Sequence, residues 1–175
     1  MNIEQSLISD RSKENMQSLA DYIVRNPETL PDLMQLLNKE NTSASQYRAA
    51  WVLGYLEPID MDSLEPHLDF LLQLLATEEL HPTIPRSITR LLQFITLPEA
   101  YHGRLIDICF HILTSEDHLS AQRANSMTIL CHYSKIYPEI GHELQLVISE
   151  ILEYRKDPAL QSRGIKILKT LKKAS

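Results

Sequence analysis

The feature that most constrains this chain is an arginine that returns about every forty residues within an apolar helical pattern. Apolar residues recur three and four positions apart in segment after segment, which is the spacing of one face of an α-helix. Four arginines each lie about a turn and a half into such a segment: Arg48, Arg86, Arg123 and Arg163. Their separations are 38, 37 and 40 residues. A chain with this pattern is expected to repeat one structural unit made of two helices.

Short polar or proline-containing linkers interrupt the apolar pattern and divide the chain into about nine predicted helices. We expect one domain over residues 1–175, built from hairpins at about 12–39, 43–77, 82–114 and 118–155 and a capping helix at 158–173. Ser12 is predicted to cap the first helix, and Asp62-x-x-Glu65 is predicted to form a capping box further along. Each hairpin carries an apolar stripe, so the hairpins must stack to bury it.

The composition agrees with an all-α fold. Only 4 glycines occur, and the residues that favour pleated strands never gather into alternating runs. A two-helix period near forty residues is in the range of HEAT and armadillo repeats and exceeds the roughly 33–34 residues of ankyrin and tetratricopeptide repeats. The predicted fold is a right-handed α-α superhelix, a HEAT/armadillo-like solenoid.

Three segments carry a closer resemblance to HEAT repeats. Residues 48–54, Arg-Ala-Ala-Trp-Val-Leu-Gly, resemble the R-x-A-A-x-x-L-G first helix of that family. Asp157-Pro158 through Arg163 resembles its D-P-x-x-R start, and residues 64–72 resemble its second helix. The resemblance covers about residues 12–173. It implies a non-catalytic scaffold for binding other proteins. The four arginines could line a binding edge, but we expect them to pack their stems and to bond to turn carbonyls or acids of the adjacent repeat.

The chain also resembles a group of short bacterial all-helical proteins that share an R-A-A-W-V-L core, here residues 48–53. Some proteins of that group are named adenylosuccinate lyase. The lyases of that superfamily resemble one another through an S-S-x-M-P-x-K-x-N-P loop, and this chain contains no Ser-Ser. No catalytic residue is therefore carried over.

Histidines keep a similar register, because His67, His102 and His142 lie near the start of successive predicted second helices. In repeats of this kind the second helices usually line a groove. The candidate groove residues are His67, Asp69, Gln73, His102, Arg104, Asp107, His142 and Gln145. Stacked repeats place such histidines ~10 Å apart, too far to share a metal ion. Anion binding, pH sensing and packing of the turns remain the alternatives.

Charge is unevenly distributed along the sequence. The net charge is −6, with +6 in residues 155–175 and −12 in the rest. An acidic surface repels phosphate backbones, so nucleic acid is an unlikely partner. In the last predicted helix Lys166, Lys169 and Lys173 share one face. They either form a basic cap or bind an acidic partner, such as the acidic part of a second copy through the ends of the solenoid. The stripe opposite them is predicted to be Leu160, Ile165, Leu168 and Leu171.

No recognisable local motif for catalysis, metal binding or phosphate binding occurs, and no cofactor is predicted. Cys109 and Cys131 stand alone, and adjacent or alternate helix positions point in different directions, so a zinc site with His111 and His132 is disfavoured. The lone cysteines and the absence of a signal sequence or an apolar spanning segment predict a cytoplasmic protein. The alternative function is a HEAT-type enzyme or enzyme accessory, such as a DNA alkyl-base glycosylase or a bilin lyase, because those families show no obvious local signature.

Overall fold

The computed structural model describes residues 2–38, 44–77, 80–154 and 156–174, and within them the regular structure is entirely helical. The prediction of an all-α fold is confirmed. The α-helices are α1 (Ile3–Ser9), α2 (Lys13–Arg25), α3 (Leu30–Leu37), α4 (Ala44–Leu53), α5 (Met61–Leu64), α6 (Leu68–Leu75), α7 (Thr83–Leu92), α8 (His102–Thr114), α9 (Ser120–Tyr133), α10 (Pro138–Tyr154) and α11 (Pro158–Ala174). Short 3-10 turns, Pro27–Thr29, Glu65–His67 and Glu99–Tyr101, lead directly into α3, α6 and α8.

Two compact units make up the chain, Met1–Leu97 and Pro98–Ser175. In the first unit α4 is the central helix and packs against α1, α2, α3 and α7, while α6 packs against α7. Small residues allow this crowding, since Ala49 and Ala50 are completely buried. A Cβ atom on Gly54 would lie only 3.3 Å from the Cβ atom of Ser87 in α7. The small residues of α4 and the glycine that follows it therefore let the neighbouring helices approach closely.

In the second unit α9 is the central helix and packs against α8, α10 and α11, and α10 also packs against α11. Its buried apolar residues include Met127, Ile129, Leu130 and Tyr133. Helices α10 and α11 meet at Gly164, where a Cβ atom would lie 3.0 Å from Cγ2 of Ile148. In this unit α9 and α11 therefore pack against each other, α8 packs against α9, and α10 packs against both α9 and α11.

One of the two predicted helix caps is present in the structure, and the other is not. Ser12 caps α2 as predicted, because its hydroxyl accepts a hydrogen bond from the Asn15 amide at 3.1 Å. The predicted capping box at Asp62 and Glu65 is wrong. Asp60 is the N-cap of α5, and its carboxylate accepts from both the amide and the hydroxyl of Ser63 at 2.8 Å. These bonds hold the pKa of Asp60 below its usual value.

Candidate functional site

The first unit holds three of the residues predicted to line a groove. His67 ends the 3-10 turn before α6, and partial burial lowers its pKa. Asp69 and Gln73 follow on α6 with exposed side chains. The first-unit cavity between α1 and α3 is lined by other residues, among them Asn2, Asp32 and Gln35.

His102 does not line an open groove, contrary to the prediction. It is only 7% exposed, and its Nδ1 atom lies 2.9 Å from the hydroxyl oxygen of Tyr137. The ring also packs edge-on against the rings of Tyr133 and Tyr137. A histidine at the start of α8 is therefore a packing residue of the second unit, since its inward position brings it against two tyrosines. Arg104 and Asp107, further along α8, are exposed.

His142 and Gln145 lie at a real cleft. With Ser134, Lys135 and Leu171 they line a cavity of about 440 Å³ where the end of α9 and the start of α10 meet α11. Pro138 and Gly141 complete its wall. The cleft combines one lysine and one histidine with aliphatic surface, which suits a side chain of mixed polarity better than a purely apolar one.

A second and smaller cleft lies on the opposite side of α10. It has a volume of about 180 Å³ and lies where α10 faces the end of α8, with Thr114, Val147, Glu150 and Tyr154 among its lining residues. Its floor includes Arg123, which is only 5% exposed. Helix α10 is thus flanked by two clefts, and both belong to the second unit.

Helix α10 carries two exposed apolar side chains that were not predicted from the sequence, and one of them, Tyr154, lines the smaller cleft. Leu146 is 74% exposed and Tyr154 is 75% exposed, and both are large side chains with mostly apolar surface. The buried face of the same helix consists of Leu144, Ile148 and Ile151. Within residues 138–154, Leu146 does not have the helical spacing of these buried residues. That difference in spacing was the one signal in the sequence that could have identified Leu146 as exposed.

The four arginines of the repeat do not share one environment. Arg48 and Arg123 are buried and donate to main-chain carbonyls, those of Leu7 and Leu113, each at 2.9 Å. Arg163 is half-buried and donates to the hydroxyl of Thr128. Arg86 is exposed. The expected structural role therefore does not extend to Arg86.

A different regularity replaces the arginine register. In three places a side chain near the start of one helix donates to a carbonyl at the end of the helix before it. Gln46 of α4 donates to Leu37 of α3 at 2.9 Å, and Arg123 of α9 donates to Leu113 of α8 at 2.9 Å. Gln161 of α11 donates to Leu152 of α10 at 3.0 Å. We call these contacts the helix-end clamps. Each clamp fixes the linker between one predicted hairpin and the next helix of the chain.

The lysines of the predicted basic cap, Lys166, Lys169 and Lys173, are exposed on α11. The stripe predicted opposite them is partly wrong. The buried face of α11 consists of Leu160, Gly164, Ile167 and Leu171, whereas Ile165 is 45% exposed. The stripe therefore passes through Gly164, whose missing side chain admits Ile148 and Leu152 of α10.

The two cysteines differ in accessibility. Complete burial raises the pKa of the Cys109 thiol to about 12, against a smaller opposing effect of the neighbouring Ser126 side chain. Cys131 is half-buried, and burial raises its pKa as well. Within the residues that the structure describes, no three His, Cys, Asp or Glu side chains lie close enough to hold a metal ion. Among those same residues, no helix has both the length and the apolar character needed to cross a membrane.

Comparison with known proteins gives one family. The family model described as a HEAT repeat domain matches residues 3–171, which include both units. Comparison with curated proteins finds no match. The match begins at the first helix, which the sequence resemblance over residues 12–173 had not included. Since nearly the whole chain fits the family model, this chain belongs to the HEAT repeat family.

Proposed function

We propose that this chain is a protein-binding module without a catalytic role, and that its partner docks on the exposed face of α10. The observation that carries the proposal is the exposure of Leu146 and Tyr154, 74% and 75% respectively, on one helix. Single exposed apolar residues are common on protein surfaces. Two such residues beside two clefts on one helix are more typical of an interaction surface.

The clefts support the same proposal, because binding energy at protein interfaces concentrates where a side chain of the partner fills a pocket. A partner lying along α10 would cover Leu146 and Tyr154 and reach the larger cleft at His142 and Gln145. It would also reach the smaller cleft beside Tyr154. HEAT repeats generally serve as protein-interaction scaffolds, and docking of a partner on α10 would be one specific form of that function.

We further propose that residues 1–175 form one HEAT repeat domain whose partner surface lies on the second unit. We also propose a cytoplasmic location, because the free thiols of Cys109 and Cys131 suit a reducing compartment. The candidate groove residues Asp69, Gln73, Arg104 and Asp107 remain predictions.

The test is recovery of a partner from the native host with a tagged chain and quantitative mass spectrometry. The variant pair is Leu146→Ser with Tyr154→Ser. The matched control is Ile8→Ser with Phe94→Ser, two exposed apolar residues of the first unit. We expect the wild type and the control to recover a protein in constant ratio, and the α10 variant to lose it while circular dichroism stays unchanged. A partner recovered equally by all three proteins would refute docking on α10.

A further inference from the structure

The exposed residues of α10 form a definite charge pattern around Leu146. Glutamates occupy the positions seven and three residues before Leu146 and four and seven residues after it. On an α-helix those positions are the neighbours of one residue on the same face. All four glutamates are exposed. We call this surface the glutamate face, and it consists of Glu139, Glu143, Leu146, Glu150 and Glu153.

Helix α11 carries the opposite pattern. Ile165 is 45% exposed, and lysines follow it one, four, seven and eight residues along the helix. All four lysines are exposed, while the other side of α11 packs against α9 and α10. This surface, the lysine face, consists of Ile165, Lys166, Lys169, Lys172 and Lys173. Each face therefore has one exposed aliphatic side chain among four like charges, and the charges of the two faces are opposite.

We propose that the glutamate face of one copy of this chain docks on the lysine face of a second copy, with Leu146 and Ile165 at the centre of the contact. This inference rests on the proposed function for the choice of α10 as a docking surface, and it adds the lysine face as the complementary surface. A second copy is the occupant that the structure favours, because every copy presents both faces. If two copies are related by a twofold axis, each pairing occurs twice and the assembly closes as a dimer.

Charge determines how this association should depend on salt. Two chains of net charge −6 repel one another at a distance, but the Debye length is only about 10 Å at 0.1 M salt. Oppositely charged faces in contact are screened less than distant charges at that concentration. At about 1 M salt the Debye length falls to roughly 3 Å and the contact itself weakens. Association is therefore expected near 0.1 M salt and should decrease toward 1 M.

The experiment is measurement of mass by sedimentation velocity and light scattering on the purified chain, using charge-reversed variants. One variant carries Glu143→Lys with Glu153→Lys, and the other carries Lys166→Glu with Lys169→Glu. These positions avoid the first turn of α10, the last turn of α11 and the lining of the small cleft. A control with Asp21→Lys and Asp107→Lys makes the same charge change as the first variant at exposed positions elsewhere.

We expect the wild type and the control to self-associate, and each charge-reversed variant alone to bind itself roughly tenfold or more weakly, because like charges then face each other. An equimolar mixture of the two variants should associate again, and so should one chain that carries all four reversals. Leu146→Ser or Ile165→Ser should weaken association without changing its salt dependence. A wild type that is monomeric at every concentration and salt, variants that associate as well as the wild type, or a mixture that stays monomeric would each overturn the proposal.

The two proposals fail separately. If the host partner still depends on Leu146 and Tyr154 but the purified chain is monomeric, only the second copy is wrong as the occupant of α10. If the purified chain associates through these faces but no host protein depends on α10, the self-association stands and the proposed function falls.

Discussion

Arg123 and Arg86 occupy corresponding places in the sequence repeat but differ in what surrounds them. Arg123 is buried and donates to the Leu113 carbonyl, whereas Arg86 is exposed. We expect Arg123→Met to lower the free energy of unfolding by about 2–4 kcal/mol, because it removes a charged donor and leaves a buried carbonyl without it. Arg86→Met should change it by less than about 0.5 kcal/mol. Urea denaturation of both variants checks this, and equal losses would contradict it.

The carboxylate of Asp157 makes the stability of the protein depend on pH. It caps α11, where its carboxylate accepts from the amides of Ala159 and Leu160 at 2.9 and 3.0 Å. A hydrogen bond from the Ser120 hydroxyl is the largest cause of its lowered pKa, followed by the Leu160 amide, with smaller contributions from the Ala159 amide and Arg123. A carboxyl group with a lowered pKa stabilises the folded state above its unfolded pKa of about 3.9, and this stabilisation is lost as pH falls through the folded value.

The corresponding variant is Asp157→Asn, which keeps an acceptor for the helix amides but loses the charge. It should be less stable than the wild type at neutral pH, and the difference should shrink below about pH 4. Thermal unfolding of both proteins from pH 7 to pH 3 measures it. A difference that stays constant over this range would show that the carboxylate charge contributes nothing.

At the scale of the element, α11 provides a matched pair of isoleucines. Ile167 is buried against the second unit and Ile165 is exposed. We expect Ile167→Ala to destabilise the protein by about 2–4 kcal/mol and Ile165→Ala by less than about 0.5 kcal/mol. Chemical denaturation of the two single variants is sufficient. The opposite order would restore the apolar stripe predicted from the sequence.

Helix α11 also shows which parts of the fold could be predicted from the sequence. The recurrence of apolar residues predicted most helices, because burial of an apolar stripe requires that spacing. It placed the stripe of α11 through Ile165 because Gly164 carries no apolar side chain, yet α10 approaches most closely there. The first helix, α1, was missed because seven residues are too few for a clear periodic pattern.

The residues of the candidate site were likewise only partly predicted from the sequence. His142 and Gln145 were predicted from their position in the repeat, and they lie at the larger cleft. His102 shared that position but is buried against Tyr133 and Tyr137, since the direction of a side chain at a helix start depends on tertiary packing. Leu146 and Tyr154 were not identified because an apolar residue in a sequence is ordinarily assigned to the core.

At the scale of the molecule, each compact unit contains one side chain that can be used to follow its unfolding. Trp51, the single tryptophan, lies on α4 of the first unit, and the fully buried Cys109 lies on α8 of the second. We expect a maleimide at pH 8 to label Cys131 in the folded protein well before Cys109, because burial both shields Cys109 and raises its pKa to about 12. Mass spectrometry of the labelled peptides follows each site.

Denaturant should allow maleimide to label Cys109 at the concentration that unfolds the second unit. The fluorescence of Trp51 should report the unfolding of the first unit. Labelling of Cys109 as fast as Cys131 under native conditions would contradict the complete burial of Cys109. Arg123→Met should hasten the labelling of Cys109, since both residues lie in the second unit.

The helix-end clamps have a consequence for how an array of this kind can be lengthened. Because Gln46, Arg123 and Gln161 each satisfy a carbonyl of the preceding helix, a hairpin excised at its own boundaries leaves the last turn before it without its donor. The self-sufficient segment instead runs from a second helix into the first helix of the next repeat. Gene duplication, or a designer who adds repeats, would preserve every clamp by joining segments within the first helices and not at the linkers.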